Sequence, residues 1–345
     1  FFIQLQLLIK NLVHKSKIKG YPFTTIGTNF NSFYKEHLPF DLTGAQKRVI
    51  KEIRNDLGSN AQMNRLLQGD VGSGKTMIAL MAMLIAADNG CQSCLMAPTE
   101  ILSRQHFNTI QPLLEKVGVR VGILTGSTRA AERRKLLAEL QSGELSMLIG
   151  THALIEEVVQ FKNLGLAIID EQHRFGVAQR AQLQKKGIQP PHVLVMTATP
   201  IPRTLAMTAY GDLDYSVIDE MPPGRQPVKT VHRHETRRAQ VMEFIRTEID
   251  KGRQVYIIFP LIEESAKLDY ENLMKGYEQV KSWFPEPTYW ISMVHGKQPA
   301  DQKETNMRRF VEHDTQIMVS TTVIEVGVNV PNATVMVIES SEKFG

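Results

Sequence analysis

Short, uninterrupted apolar runs recur along the chain, each separated from the next by a segment of helix length. They are residues 64–68 (NRLLQ), 93–97 (SCLMA), 119–124 (VRVGIL), 147–149 (MLI), 166–169 (LAII) and 193–196 (VLVM). A strand buried on both faces loses the polar alternation of a half-exposed one, so the pattern predicts a parallel sheet covered by helices on both sides. Residues 221–227 (MPPGRQP) are too rich in proline and glycine to lie inside an element. Beyond them the alternation starts again, with a helix over 235–250 and strands at 254–259 (QVYIIF), 290–294 (WISMV), 316–320 (QIMVS) and 334–338 (TVMVI). The expected fold class is therefore α/β, with two parallel-sheet domains that enclose a cleft. The first spans 41–213 and the second 228–345, joined by a linker over 214–227. Residues 1–40 read as a helical connector: an apolar helix candidate, a Gly/Thr/Asn-rich stretch and a second short helix ending near Pro39.

Composition narrows this picture a little. With 345 residues, 42% of them hydrophobic, the chain can bury a core in each of about two domains. The net charge of +4, from 40 basic and 36 acidic residues, permits a polyanionic partner without demanding one. The run 77–87 (MIALMAMLIAA) is too short to span a membrane, which takes about 20 apolar residues, and reads as a helix packed in a core. Residues 1–9 are apolar but lack the basic start and small-residue cleavage site of a signal peptide, and are expected to lead from a further N-terminal domain. Cys91 and Cys94 have C-x-x-C spacing without a second pair, which favours two buried strand residues over a metal or redox site. The basic tracts 129–135 and 233–238 carry glutamates at helical spacing and read as solvated helix faces.

Chemistry concentrates at residues 69–76 (GDVGSGKT), a complete G-x-x-x-x-G-K-[ST] loop between a strand and a helix. Such a turn aims backbone N–H groups and the positive end of the helix at a polyphosphate. Gly69, Gly72 and Gly74 allow the tight curve around Ser73, Lys75 neutralises phosphate oxygens, and the Thr76 hydroxyl suits Mg²⁺. Asp170 and Glu171 follow the apolar strand 166–169. A buried carboxylate needs a charge partner, and a metal on the phosphates supplies one; a helix-capping acidic pair is the alternative. Gln46, upstream in LTGAQ, either reads an adenine edge with its amide or lies on the surface.

These segments together resemble the superfamily 2 helicases, and within them the RecG group of bacterial ATP-dependent DNA helicases. The nucleotide loop corresponds to motif I and DEQHRFG (170–176) to motif II. FDLTGAQ (40–46) resembles the Q motif, APTEIL (97–102) with Gln105 and His106 motif Ia, and GTHALI (150–155) motif Ib. MTATPIPRTL (196–205), IIFPLIEE (257–264) and STTVIEVGVNVPNA (320–333) match motifs III, IV and V. Asn329 stands where the family usually has aspartate, keeping the hydrogen-bonding oxygen and losing the charge.

The resemblance implies two RecA-like domains of the P-loop NTPase class that use ATP and Mg²⁺. Lys75, Asp170 and Glu171 are then catalytic. Phe40, Gln46, Glu325 and Gly327 join the loop in binding nucleotide, and Thr76 and Asp170 hold the metal. Thr197, Thr199 and His173 would relay the nucleotide state, with Arg203 coupling the lobes. DNA phosphates would meet Thr99, Arg104, Gln105, His106, Thr151 and His152 on the first lobe and His295, Thr321 and Thr322 on the second. The chain stops before the expected motif VI, Gln-x-x-Gly-Arg-x-Gly-Arg, so the second domain is expected to be truncated and turnover weak, with Arg203 and Arg225 the available substitutes. An oligonucleotide-binding wedge domain is expected before residue 1. The implied activity is an ATP-driven double-stranded DNA translocase that remodels stalled forks and recombination intermediates in DNA repair. Its partner is forked or branched DNA and not a membrane, and it works as a monomer in the bacterial cytoplasm at the nucleoid. A transcription-repair coupling translocase, which shares motifs II and III, and a nucleotide-gated DNA-binding module without turnover remain alternatives.

Overall fold

The computed structural model describes residues 19–171, 182–183, 185–199, 213–220, 228–260, 266–321 and 330–344. They fall into two compact units, Phe1–Gln226 and Pro227–Gly345.

Seven strands build the sheet of the first unit: β1 (Asn64–Gly69), β2 (Gln92–Met96), β3 (Val121–Leu124), β4 (Met147–Gly150), β5 (Leu164–Asp170), β6 (His192–Thr197) and β7 (Asp214–Ile218). Their order is β3-β4-β2-β5-β6-β1-β7, and each pairing is parallel. All residues of β2, β4, β5 and β6 are buried, as their unbroken apolar runs require. β7 corrects the expected linker, because residues 214–218 pair with β1 from Arg65–Asp214 to Gly69–Ile218 and close one edge of the sheet. The order also sets β2, β5, β6 and β1 side by side, with Met96 opposite Ile169, Asp170 opposite Met196 and Gln68 opposite Thr197. Four carboxyl ends thus meet along one rim, the side on which open α/β sheets take ligands.

Helices α1 (Thr28–Ser32), α2 (Gly44–Leu57), α3 (Lys75–Asp88), α4 (Glu100–Glu115) and α5 (Ala130–Ser142) belong to this unit. Each of residues 77–86 in α3 is buried, so this helix has no polar face and lies within the core. Asp88 at its end accepts backbone N–H bonds from Gly27 (2.9 Å), Asn29 (3.1 Å) and Phe30 (3.1 Å), and Asn89 exchanges two hydrogen bonds with Thr25. Phe23 and Phe33 are buried in the core, and Lys19 bridges to Ala61. Residues 19–37, expected to be a connector, therefore pack as part of the first unit. His192 is buried beside them: its Nδ1 accepts the Met63 N–H (2.8 Å), its Nε2 donates to the Tyr21 carbonyl (2.5 Å), and burial pulls its pKa down.

The second unit carries a four-stranded parallel sheet, β8 (Gln254–Phe259), β9 (Ile291–Val294), β10 (Ile317–Thr321) and β11 (Ala333–Ile338), in the order β11-β8-β10-β9. Helices α6 (Arg238–Asp250), α7 (Ala266–Trp283) and α8 (Ala300–Val311) alternate with the strands. The core gathers Ile245, Val255, Ile257, Phe284, Ile317 and Val319. Edge strand β11 alternates half-buried and exposed residues. Among the described residues, no helix is long and apolar enough to cross a membrane.

Candidate active site

The strand β1 ends at Gly69, and the chain turns through Asp70 and Val71 before α3 begins at Lys75. Gly72 (φ 80°) and Gly74 (φ 91°) adopt left-handed backbone that a side chain would strain. A Cβ at Gly74 would lie 2.4 Å from the Gln46 amide nitrogen, and one at Gly69 would lie 2.5 Å from Ser73 Oγ. The loop is therefore a close-walled cradle that only glycine permits. Ser73 Oγ is buried in it without a hydrogen-bond partner among the described residues. Lys75 Nζ folds back onto the carbonyls of Gly69 (2.6 Å) and Asp70 (3.0 Å). Burial pulls its pKa down, opposed by the fields of Asp170, Glu171 and Asp70. An ammonium half-desolvated against carbonyls, with carboxylates nearby, suits exchange of those weak acceptors for phosphate oxygens.

Asp170 ends β5 and is buried. Glu171 follows with φ 50°, in the left-handed region that a non-glycine residue rarely takes, and its N–H is anchored to the Met196 carbonyl (2.9 Å). Its carboxylate accepts the Ala198 N–H (3.0 Å) and faces the Thr197 hydroxyl (3.4 Å), whose oxygen in turn accepts the Thr199 N–H (3.1 Å). The structure thus brings Glu171, Thr197 and Thr199 into one hydrogen-bonded group at the ends of β5 and β6.

The donor set fits a nucleotide with its metal: a glycine cradle with an orphaned buried hydroxyl, a lysine, the Thr76 hydroxyl and the carboxylate of Asp170. Two residues have tasks the sequence did not reveal. Gln46 is not on the surface. It is fully buried, its Oε1 accepting the Thr43 N–H (2.9 Å) and its Nε2 donating to the Ser73 carbonyl (2.8 Å), so it ties the start of α2 to the phosphate loop. The signal was present in Thr43-x-x-Gln46, a capping-box spacing.

His106, expected on the DNA side, turns inward. Its Nε2 lies 2.7 Å from Asp170 Oδ2 and its Nδ1 3.4 Å from Thr76 Oγ1. The helix phase explains this: Thr99 caps α4 at the Leu102 N–H, and Leu102, Ser103, His106, Ile110 and Leu114 form its buried stripe. Gln105 lies off that stripe and is half-buried.

The remaining candidates divide. Arg104 is exposed and pairs with Glu100 (2.7 Å) and Ser127 (3.1 Å), His152 is exposed, and Phe40 is 39% exposed. Thr151 and Thr321 are buried, each with a hydroxyl lacking a partner among the described residues. His295 is buried just beyond β9, and burial lowers its pKa, with Lys303 and Lys297 adding to the effect. His173, Arg203, Arg225, Thr322, Glu325, Gly327 and Asn329 lie outside the described residues. Cys91 and Cys94 are free and buried, and burial pushes the Cys94 thiol up to about 12. Among the described residues, no group of three or more His, Cys, Asp or Glu side chains could hold a metal.

Comparison with known proteins agrees with this geometry. The DEAD/DEAH box helicase family matches residues 43–208, and the helicase conserved C-terminal domain matches residues 236–343. The ATP-dependent DNA helicase RecG of Synechocystis sp. is 51% identical over 345 residues, which cover 100% of this chain and 41% of the relative. RecG of Aquifex aeolicus is 48% identical, with 100% of this chain and 43% of the relative covered. The chain thus spans less than half the length of these relatives. A solved structure of RecG bound to a three-way DNA junction superposes with a TM-score of 0.81 at 41% identity, covering 96% of this chain and 44% of that one. Each of its two units has a RecA-like parallel sheet, and the chain is homologous over most of its length to the RecG-type superfamily 2 DNA helicases of bacteria.

Proposed function

We propose that the chain is the ATP-hydrolysing motor of a DNA translocase that remodels forked or branched double-stranded DNA. The observation that carries this reading is the convergence, along one rim of the first sheet, of the phosphate loop, Asp170 and Glu171 with Thr197 and Ala198. Lys75 and the loop N–H groups bind the polyphosphate, and Lys75 exchanges the Gly69 and Asp70 carbonyls for phosphate oxygens. Thr76 and Asp170 would hold Mg²⁺, which when bound offsets the charge of the phosphates. Glu171 orients the attacking water and takes its proton as the terminal phosphoanhydride bond breaks. Because the same carboxylate accepts from Ala198 and faces Thr197, a change in its hydrogen bonding is felt at the end of β6.

The ends of β2 and β4 adjoin along the same rim and lead into Thr99 and Thr151. Exposed Arg104 and His152 nearby supply donors for a phosphate backbone, which position a strand without reading its sequence. The similarity to RecG on a three-way junction supports branched DNA as the substrate. The setting that follows is a monomeric motor at the nucleoid of a bacterial cytoplasm.

The test is ATPase rate with no DNA, linear duplex and forked duplex of equal length, for wild type and Lys75→Ala. Removing the ammonium should abolish nucleotide binding in a folded protein, and forked DNA should stimulate wild type more than linear duplex. Wild-type nucleotide affinity in folded Lys75→Ala would overturn the site, and equal response to forked and linear DNA would overturn the substrate.

A further inference from the structure

The buried imidazole of His106 has no place in the scheme above, yet it touches both residues that would hold the metal. It sits between Thr76 at the start of α3 and Asp170 at the end of β5, elements brought together only by the fold. An ionised carboxylate can only accept, so Nε2 carries the proton and donates to Asp170 Oδ2 at 2.7 Å. When the ring carries that single proton, Nδ1 is the acceptor, and Thr76 Oγ1–H at 3.4 Å is the donor that faces it. One imidazole therefore orients the carboxylate and turns the hydroxyl hydrogen of Thr76 toward itself, leaving the threonine oxygen's lone pairs directed elsewhere. His106 has little freedom to do otherwise, since it lies on the buried stripe of α4 between Ser103 and Ile110.

We infer that His106 is a positioning residue for the divalent cation, presetting Thr76 and Asp170 as a ligand pair, and that it is not a DNA contact. The inference rests on the nucleotide-site reading above, because it is that reading which makes Thr76 and Asp170 ligands. Groups that orient metal ligands without touching the metal typically account for about 10–100-fold in metal affinity.

The experiment compares wild type, His106→Ala, His106→Gln and His106→Asn in the full chain, with thermal melting to verify folding. Mn²⁺ binding is measured by electron paramagnetic resonance at saturating ADP, and ADP affinity is measured separately in EDTA. His106→Ala should weaken Mn²⁺ binding about 10–100-fold and leave ADP affinity in EDTA unchanged. Glutamine places its amide nitrogen near the position of Nε2, so His106→Gln should recover most of the loss. Asparagine reaches only as far as Nδ1 and should not. A purely packing role would not separate glutamine from asparagine in this way. Mn²⁺ affinity that is unchanged or tighter in His106→Ala would overturn the inference, the tighter result showing that the imidazole competes with the cation. Wild type that binds neither ADP nor Mn²⁺ would instead overturn the nucleotide-site reading.

Discussion

Replacing Gln46 separates the stability of a helix start from the shape of the phosphate loop. Its amide makes two bonds from a fully buried position, to the Thr43 N–H and the Ser73 carbonyl. Gln46→Ala removes both. Loss of the bond to the Thr43 N–H costs about 0.5–1.5 kcal/mol, the Thr43 hydroxyl still capping the backbone N–H of residue 46, and a buried carbonyl left without its donor costs about 1–3 kcal/mol. The sum, roughly 1.5–4.5 kcal/mol, is a large share of the ~5–15 kcal/mol that holds a typical domain together. Gln46→Glu is the sharper variant, because one carboxylate oxygen still accepts from Thr43 while the other replaces Nε2 at 2.8 Å from the Ser73 oxygen. Two acceptors then face each other, so the cap survives and the loop is pushed away. Urea denaturation gives the stability change, hydrogen exchange over residues 69–76 reports the loop, and ADP titration reports its function. Both variants should release loop amides to exchange and weaken ADP about tenfold, the equivalent of one lost hydrogen bond near 1.4 kcal/mol. If Gln46→Ala loses the expected stability while both variants bind ADP like wild type, the tie to Ser73 does not hold the cradle and the reasoning fails.

Glu171→Gln keeps an oxygen for the Ala198 N–H but cannot take a proton. Single-turnover hydrolysis should fall about 10²–10⁴-fold with ATP binding retained, and unaltered chemistry would remove Glu171 from the role of base. His192 gives a pH signature: burial holds its folded pKa below the ordinary 6.5, so the unfolded chain takes up the proton first. The stability associated with its neutral form is complete above pH 6.5 and is lost as pH falls through the depressed value, so melting temperature should drop from pH 7 toward 5, less steeply in His192→Gln. Equal slopes for the two proteins would place the titration elsewhere. DNA affinity should fall steeply with salt and vary little among duplexes of the same shape, about one unit of log–log slope per phosphate neutralised; strong sequence discrimination would contradict backbone contact.

The strands that were legible in the sequence are those buried on both faces. β2, β4, β5 and β6 needed no alternation to be found, because their apolar runs are continuous. β7 was hidden for the opposite reason: Asp214, Tyr215 and Val217 are only half-buried, and what makes the segment a strand is its pairing with β1, which no local pattern encodes. The phosphate loop and the Asp170–Glu171 pair could be read because their chemistry depends on consecutive residues. Gln105 and His106 could not be told apart, since neighbours on a helix differ in direction by about a hundred degrees and only the Thr99 cap fixes which one points inward. The surface alternative for Gln46 rested on composition alone, since glutamine is usually exposed, although its spacing from Thr43 announced a cap.

The helix that carries the phosphate loop has one further consequence. Its N-terminal N–H groups are aimed by a rod surrounded on every side over residues 77–86 and held at the far end by three backbone bonds to Asp88. Such a rod can neither roll nor slide without opening the core, so its direction is set when the chain folds. The ordering entropy of the cradle is therefore already spent before encounter, and the free energy of phosphate contact can appear as affinity instead of being consumed in arranging the site.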